Sequence, residues 1–325
     1  MFPFIVADIG GTNARFALAT GKQGDQFEIE HICKLKGKDF DSFEHAMAAY
    51  IDKLGGIKVQ AASVAIAAPI DGDQVSMTNL SWSFSQAEVQ KKFGFKCFAA
   101  INDYTAVAVA TSRLGEDDVT SVVAGTRKPQ SNKAVLGPGS GLGAGGLAYV
   151  DDKHWQEIPS EGGHATIGPA NKFEAQVIGA LYDKYDYVSA ETCLSGPGLV
   201  NLYHAVSAVN GVKSTSLEAH QVTEAALDGS DEQCKQALLQ FCAFLGTMSS
   251  NLALTYGAKG GVYITGGIVP RFVDFIKASE FEARFRNKGV MSRYVADIPV
   301  DLVTFDETAY LGAAAWLEQR LLEAS

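Results

Sequence analysis

The chain has 325 residues, 47% of them hydrophobic and 20% charged, with 27 Lys and Arg against 37 Asp and Glu for a formal net charge of −10. That is ordinary soluble usage over about two domains' length, which excludes a disordered or fibrous chain. The acidic balance leaves no net basic charge to attract nucleic acid or an anionic membrane. The unusual number is 33 glycines, about a tenth of the chain, where ~7% is usual.

In chain order, Phe4 to Ala7 reads as a short apolar strand, closed by the turn Asp8-Ile-Gly-Gly-Thr12 and followed by a strand from Ala14 to Ala19. Strand, glycine turn, strand is a hairpin. Residues 41–54 place Phe43, Met47, Tyr50, Ile51 and Leu54 at helical spacing and stop at Gly55-Gly56. Ala62 to Ala68 is a buried strand. Trp82 to Phe93 reads as a helix, with Ser85 as N-cap and Glu88 three residues later completing a capping box. Cys97 to Ile101 is a further strand ending at Asn102-Asp103, and Tyr104 to Arg113 an apolar helix. Such alternation belongs to α/β domains.

About 130 residues after the first hairpin the same device returns: strand Ala134 to Leu136, the glycine-dense turn Gly137 to Gly143, and return strand Gly146 to Val150. Ser195-Gly-Pro-Gly198 opens a helix through Leu199 to Ala208. A long helix over 235–256 precedes the strand Gly261 to Thr265 and the turn Gly266-Gly267. Val300 to Phe305 is a late strand and Tyr310 to Leu322 a terminal helix. Gln236 to Ala258 carries no formal charge over 23 residues, long enough to span a bilayer. Its Gln, Thr, Ser and Asn residues fit a buried core helix better. Met1 to Ala7 has no basic leader and reads as a strand, not a signal peptide. Five scattered cysteines without a CxxC pair argue against a disulfide framework or zinc knuckle and for a reducing cytosol.

Clustered glycines let backbone N–H groups converge on a phosphate with no Cβ in the way. Ten fall in or beside three such turns: Gly10, Gly11, Gly137, Gly139, Gly141, Gly143, Gly145, Gly146, Gly266 and Gly267. No Lys follows them as a Walker A loop requires. Gly141 to Gly146 matches GxGxxG, but Leu147 to Val150 continues as a strand where a dinucleotide fold needs a helix. Protein-kinase signatures are absent. Glu161-Gly-Gly-His164 has ExxH metal spacing, yet two glycines disfavour a helix there and no second such motif lies near. Asp103 stands at a strand end amid apolar residues, where a carboxylate needs a hydrogen-bonded task or caps the following helix. Asp8 reads either as a cation's carboxylate or as an Asx cap of its hairpin. The other histidines read as surface or packing residues.

Asp8-Ile-Gly-Gly-Thr-Asn-Ala-Arg15 and Gly137 to Gly143 resemble the two phosphate motifs of the sugar-kinase, actin and heat-shock-chaperone ATPase fold, and Thr265-Gly-Gly-Ile-Val-Pro-Arg271 its adenosine motif. The closer resemblance is to bacterial glucokinases of the enterobacterial, non-zinc type. It runs on through Met77 to Trp82, Ile101 to Asp103, Glu161 to His164, Ser189 to Glu191 and Leu194 to Tyr203, in family order over essentially the whole chain. The resemblance implies a two-domain, actin-like (ribonuclease H-like) α/β ATPase fold with an interdomain cleft. A small domain, 1–112 plus the C-terminal helix from about 306 to 325, would carry the first phosphate hairpin. A large domain, 113–305, would carry the second hairpin, the sugar loops and the adenosine motif.

It also implies phosphorylation of glucose by ATP and Mg²⁺. Asp103 would be the general base; Asn102, Asp103, Glu161, His164 and Glu191 would hold the sugar. Asp8, Ile9, Gly10, Gly11, Thr12 and Asn13, with Gly139, Ser140, Gly141, Gly266 and Gly267, would hold the nucleotide, and Asp8 would orient Mg²⁺ through water. Asn79 is a further cleft candidate. A cytoplasmic homodimer that closes over its substrates, with no nucleic-acid or membrane partner, completes the expectation. A zinc-binding, helix-turn-helix relative has no counterpart here in cysteine clusters or leading residues. The competing readings are an actin-like ATPase, marked by sugar-independent turnover, and a non-catalytic sugar sensor, which has little use for Asp103.

Overall fold

The strand Phe4–Ile9 is buried along almost its whole length and Ala61–Ile66 along all of it, as interior strands of a sheet covered on both faces are. In the computed structural model, which describes residues 2–24, 26–77, 80–152 and 154–323, these two pair in parallel with Ile9 opposite Ile66. Cys97–Asn102 extends the sheet in parallel, Asn102 opposite Ile66. On the other side Asn13–Gln23 and Gln26–Lys36 are antiparallel. The chain divides into two compact units, and this five-stranded sheet belongs to the first, which comprises residues 1–115, 150–157 and 305–325.

The helix Phe43–Lys53 turns Phe43, Ala46, Met47 and Tyr50 into the core, the i, i+3, i+4, i+7 stripe of an amphipathic helix. Phe43 stacks on Phe84 with ring centroids 4.4 Å apart, and Tyr50 on Phe16 at 5.2 Å. One expected helix starts late. Ser83–Ser85 is a short strand paired with Gln74–Ser76, and the helix is Gln86–Phe93. Trp82 and Phe84 are buried while Ser83 is exposed; that period of two is a strand's, and it overrides the helical pattern. Ser85 is nonetheless the N-cap, its Oγ accepting from Glu88 N at 3.1 Å.

The terminal helix Thr308–Glu323 packs on the helix Asp103–Ala110. A Cβ on Gly312 would lie 1.9 Å from the Ala106 carbonyl oxygen, so the contact needs glycine. Residues 150–157, expected in the second domain, join the first unit. Gln319 fastens them: Trp155 N donates to its Oε1 at 3.2 Å, and its Nε2 donates to Trp155 O at 3.0 Å. A side-chain anchor of this kind leaves no pattern in sequence.

The second unit, residues 116–149 and 158–304, repeats the device. Lys133–Pro138 and Leu142–Tyr149 form an antiparallel hairpin. Val262–Ile264 pairs in parallel with Lys133–Pro138 and with Val300–Val303, and Val119–Val123 closes that edge antiparallel. The second hairpin's turn is tighter than expected: the strand runs through Pro138 and resumes at Leu142, with Gly143 opposite Gly137, leaving Gly139-Ser140-Gly141 as the tip. The 25-residue helix Glu232–Tyr256 is a core helix, with Phe241, Phe244 and Leu245 fully buried. Its buried Ser250 donates within the helix, to Gly246 O at 3.1 Å, which satisfies the hydroxyl without a partner outside the helix. The five cysteines are free thiols.

Candidate active site

In the first unit three parallel strands end together, since Ile9, Ile66 and Asn102 are in register. Ligands in open α/β sheets gather at such carboxyl ends. Asn102, the last strand residue, caps the next helix: its Oδ1 accepts from Tyr104 N and Thr105 N, both at 3.0 Å. The capping role open to Asp103 is therefore filled by its neighbour, and Asp103 is the first helical residue. Asp103 Oδ1 accepts from Tyr104 N at 2.8 Å and from Asn102 Nδ2 at 3.1 Å. Burial pushes the Asp103 carboxyl up to about 6, against those hydrogen bonds, and the Asp8 charge adds to the rise.

The first hairpin tip is closed by Gly10 N donating to Asn13 O at 2.9 Å and anchored by Gly37 N donating to Thr12 O at 3.0 Å. Thr12 is exposed at the tip. Asp8 lies opposite Arg15 in the hairpin register and forms a loose ion pair with it, 3.8 Å. Among the described residues no side-chain hydrogen bond makes Asp8 an Asx cap. Burial raises its carboxyl above the usual range, with Arg15 only partly opposing. A carboxylate so placed gains from a second cation. Among the described residues no cluster of three His, Cys, Asp or Glu side chains forms a metal cage. Mg²⁺ carried on nucleotide phosphates needs only one or two carboxylates and waters, so Asp8 fits it.

In the second unit the Gly139-Ser140-Gly141 tip is closed by Gly139 N donating to Gly141 O at 2.8 Å, and Gly196 N donates to Gly139 O at 2.8 Å. Ser140 is exposed. Gly266 meets the same strand end: its φ is +87°, and a Cβ there would lie 2.5 Å from Pro138 O. Only glycine fits both demands. The second glycine hairpin and the Gly266-Gly267 turn are thus brought together, joined by the start of the helix Gly196–Val209.

The Glu161 to His164 loop adjoins them. Glu161 precedes a single 3₁₀ turn, Gly162–His164, and no longer helix forms over the two glycines that disfavour one. The turn presses on the return strand: a Cβ at Gly163 would fall 1.9 Å from Leu142 O. Ser189 caps the short helix Ala190–Cys193 and sets Glu191 in its first turn. Glu191 Oε2 accepts from Leu142 N at 2.8 Å, and Oε1 faces His164 Nδ1 at 3.9 Å. Glu161 and His164 are exposed. The sequence reading missed Tyr187, whose hydroxyl donates to His164 O at 2.9 Å and lies 2.9 Å from Thr166 Oγ1; an exposed tyrosine outside a motif carries no signal. It missed Arg15 as well, although hairpin register pairs it with Asp8. Asn79 lies outside the described residues.

Two glycine-tipped hairpins, each leading a mixed sheet, define a two-domain protein of the actin-like ATPase fold. The profile of the family described as Glucokinase matches residues 5–320. A glucokinase of Saccharophagus degradans is 55% identical over 319 residues, covering 98% of this chain and 99% of the relative. One of Cronobacter sakazakii is 44% identical over 98% and 97%. The crystal structure of a glucokinase from an Antarctic psychrotroph superposes with a TM-score of 0.93 at 41% identity, over 98% of this chain and 99% of that one. The chain belongs to the glucokinase family, and it is an enzyme, a kinase.

Proposed function

We propose that this chain transfers the γ-phosphoryl group of ATP to the 6-hydroxyl of D-glucose, with Asp103 as general base. The observation that carries the reading is the state of Asp103: one carboxylate oxygen is held by two hydrogen bonds and burial brings the group to about 6. That is a base poised near working pH, which general-base chemistry favours. In this reading Asp103 takes the hydroxyl proton as the sugar oxygen attacks. Phosphoryl transfer asks little more of the protein than positioning and electrostatics.

Asn102, Glu161, His164 and Glu191 hold the remaining sugar hydroxyls, since carboxylates accept from hydroxyls in strong charge-assisted bonds. The Ile9 to Asn13 turn and the Gly139-Ser140-Gly141 tip present backbone N–H groups to the phosphates, and Gly266-Gly267 admits the adenosine. Asp8 would hold Mg²⁺ through water, and the metal would supply charge neutralisation on the phosphates. The two domains, 1–112 with the terminal helix and 113–305, close over the sugar and exclude water that would hydrolyse ATP. The enzyme works in the cytoplasm as a homodimer.

A coupled assay with ATP, Mg²⁺ and a panel of hexoses tests the reading. Glucose should give the highest kcat/KM, and Asp103→Ala should abolish turnover while sparing ATP binding. ATP hydrolysis at the same rate without sugar would instead point to an actin-like ATPase. Sugar binding without turnover would point to a sensor.

A further inference from the structure

A cavity of about 360 Å³ opens on the second unit, and none of the glycine-turn residues lines it. Arg127, Lys128, Lys259 and Arg293 line it, with Tyr294 and a single acidic side chain, Asp297. Four cations in one hollow of a chain with net charge −10 are a local reversal of sign. Among the described residues no carboxylate forms an ion pair with Lys128, Lys259 or Arg293; only Arg127 is paired, with Asp301. Unpaired cations around a concavity raise a potential that concentrates anions there.

The hollow is also preformed. Thr126 N donates to Asp297 O at 2.8 Å and Lys128 N to Lys259 O at 3.0 Å, so the cationic loop is tied down at two points. Gly125 permits this approach, since a Cβ there would lie 2.5 Å from Asp297 O. Lys259 Nζ sits 4.3 Å over the Tyr294 ring, and Arg127 lies 5.5 Å over Tyr263. Lys133, 5.5 Å over the same Tyr263 ring, is pushed down to about 8 by burial and then by the Arg127 charge. The corner is electropositive beyond the residues that line it.

From the unpaired cations and the tied loop we infer that this cavity is a second ligand site, which takes a small polyanion bearing two or more phosphate or carboxylate groups. Its volume is that of a small-molecule site. A lone monoanion would leave most of the cations unneutralised, whereas a polyanion engages several at once.

Calorimetric titration of the full chain with citrate tests this. The wild type should bind citrate at one saturable site. The double variant K128E/R293E, both positions being exposed, should weaken that binding by at least about tenfold, the loss of roughly 1.4 kcal/mol, with an unchanged thermal melt. K34E/K91E makes the same change of net charge at exposed lysines of the first unit and should leave the binding as it is. Equal weakening by both variants, or retained binding in K128E/R293E, would overturn the site, as would no saturable binding in the wild type.

Discussion

Asp103 and Asp8 are the residues whose chemistry the surrounding structure has altered most usefully. The Asp103 carboxyl rises to about 6 because burial disfavours its charge. The proposed general base works only when ionised, so log kcat/KM should climb with pH and level off above about 6. Asp103→Asn should remove that limb and lower kcat by roughly 10²–10⁴-fold, the usual share of general-base catalysis. The same substitution bears on stability. A carboxyl raised in the folded state adds no cost below its ordinary value of 3.8 and a full cost above about 6. Asp103→Asn should therefore melt above the wild type at pH 7, by on the order of 1–3 kcal/mol, and lose that advantage toward pH 4. Asp8→Asn should raise the Mg²⁺ concentration needed for half-maximal rate; an unchanged Mg²⁺ titration and turnover would rule the carboxylate out as the metal's partner.

At the scale of elements, glycine does two jobs that the sequence does not separate. Its excess suggested backbone approach to ligand, and the tips at Gly10 and Gly139 fit that. Gly146, beside the second tip, instead faces the Tyr256 ring, 3.1 Å from where its Cβ would stand. Gly163 and Gly312 likewise meet carbonyl oxygens of their own unit. Gly312 is the sharper case, because its neighbour is helix backbone and cannot swing aside. Gly312→Ala should destabilise the first unit by about 1–3 kcal/mol through overpacking, although alanine is the better helix former; urea unfolding measures it. The Trp82-to-Phe84 stretch makes the complementary point. Helix and strand periods compete over three residues, and core packing decides between them. Strands such as Gln26–Lys36 and Val119–Val123, and the helices Lys172–Tyr182 and Ala219–Asp228, went unread. Gln26–Lys36 is mostly exposed, so its apolar pattern is weak.

For the molecule as a whole, the most buried charged side chain among the described residues is Glu174, 1% exposed. Arg284 donates to both of its oxygens, Gln240 Nε2 donates at 3.2 Å, and Ala170 N at 2.7 Å. Burial alone would raise this carboxyl, but the hydrogen bonds and the Arg284 charge outweigh it and hold it low. Its contribution is present above the ordinary carboxylate value and is lost as pH falls through the depressed one. Arg284→Met should cost about 3–5 kcal/mol, since it strands a buried charge, and Glu174→Gln in the same chain should recover part of it. Thermal melts at pH 7 and pH 4 measure both effects, and the gap between wild type and Arg284→Met should narrow at the lower pH.

The sequence alone determined the class of the protein: two glycine-tipped hairpins, the ordered motifs around Asp8, Asp103, Glu161 and Glu191, and an acidic chain with no metal-binding cysteines. These are local features, and local spacing carries them. Tertiary structure alone decided that Asn102 and not Asp103 caps the helix, that Glu191 ties the short helix Ala190–Cys193 to the return strand at Leu142, and that residues 150–157 join the first unit through Gln319. It decided, too, that Arg127, Lys128, Lys259 and Arg293 share one cavity. Each depends on residues far apart in the chain whose contact, burial and charge exist only once the backbone has folded.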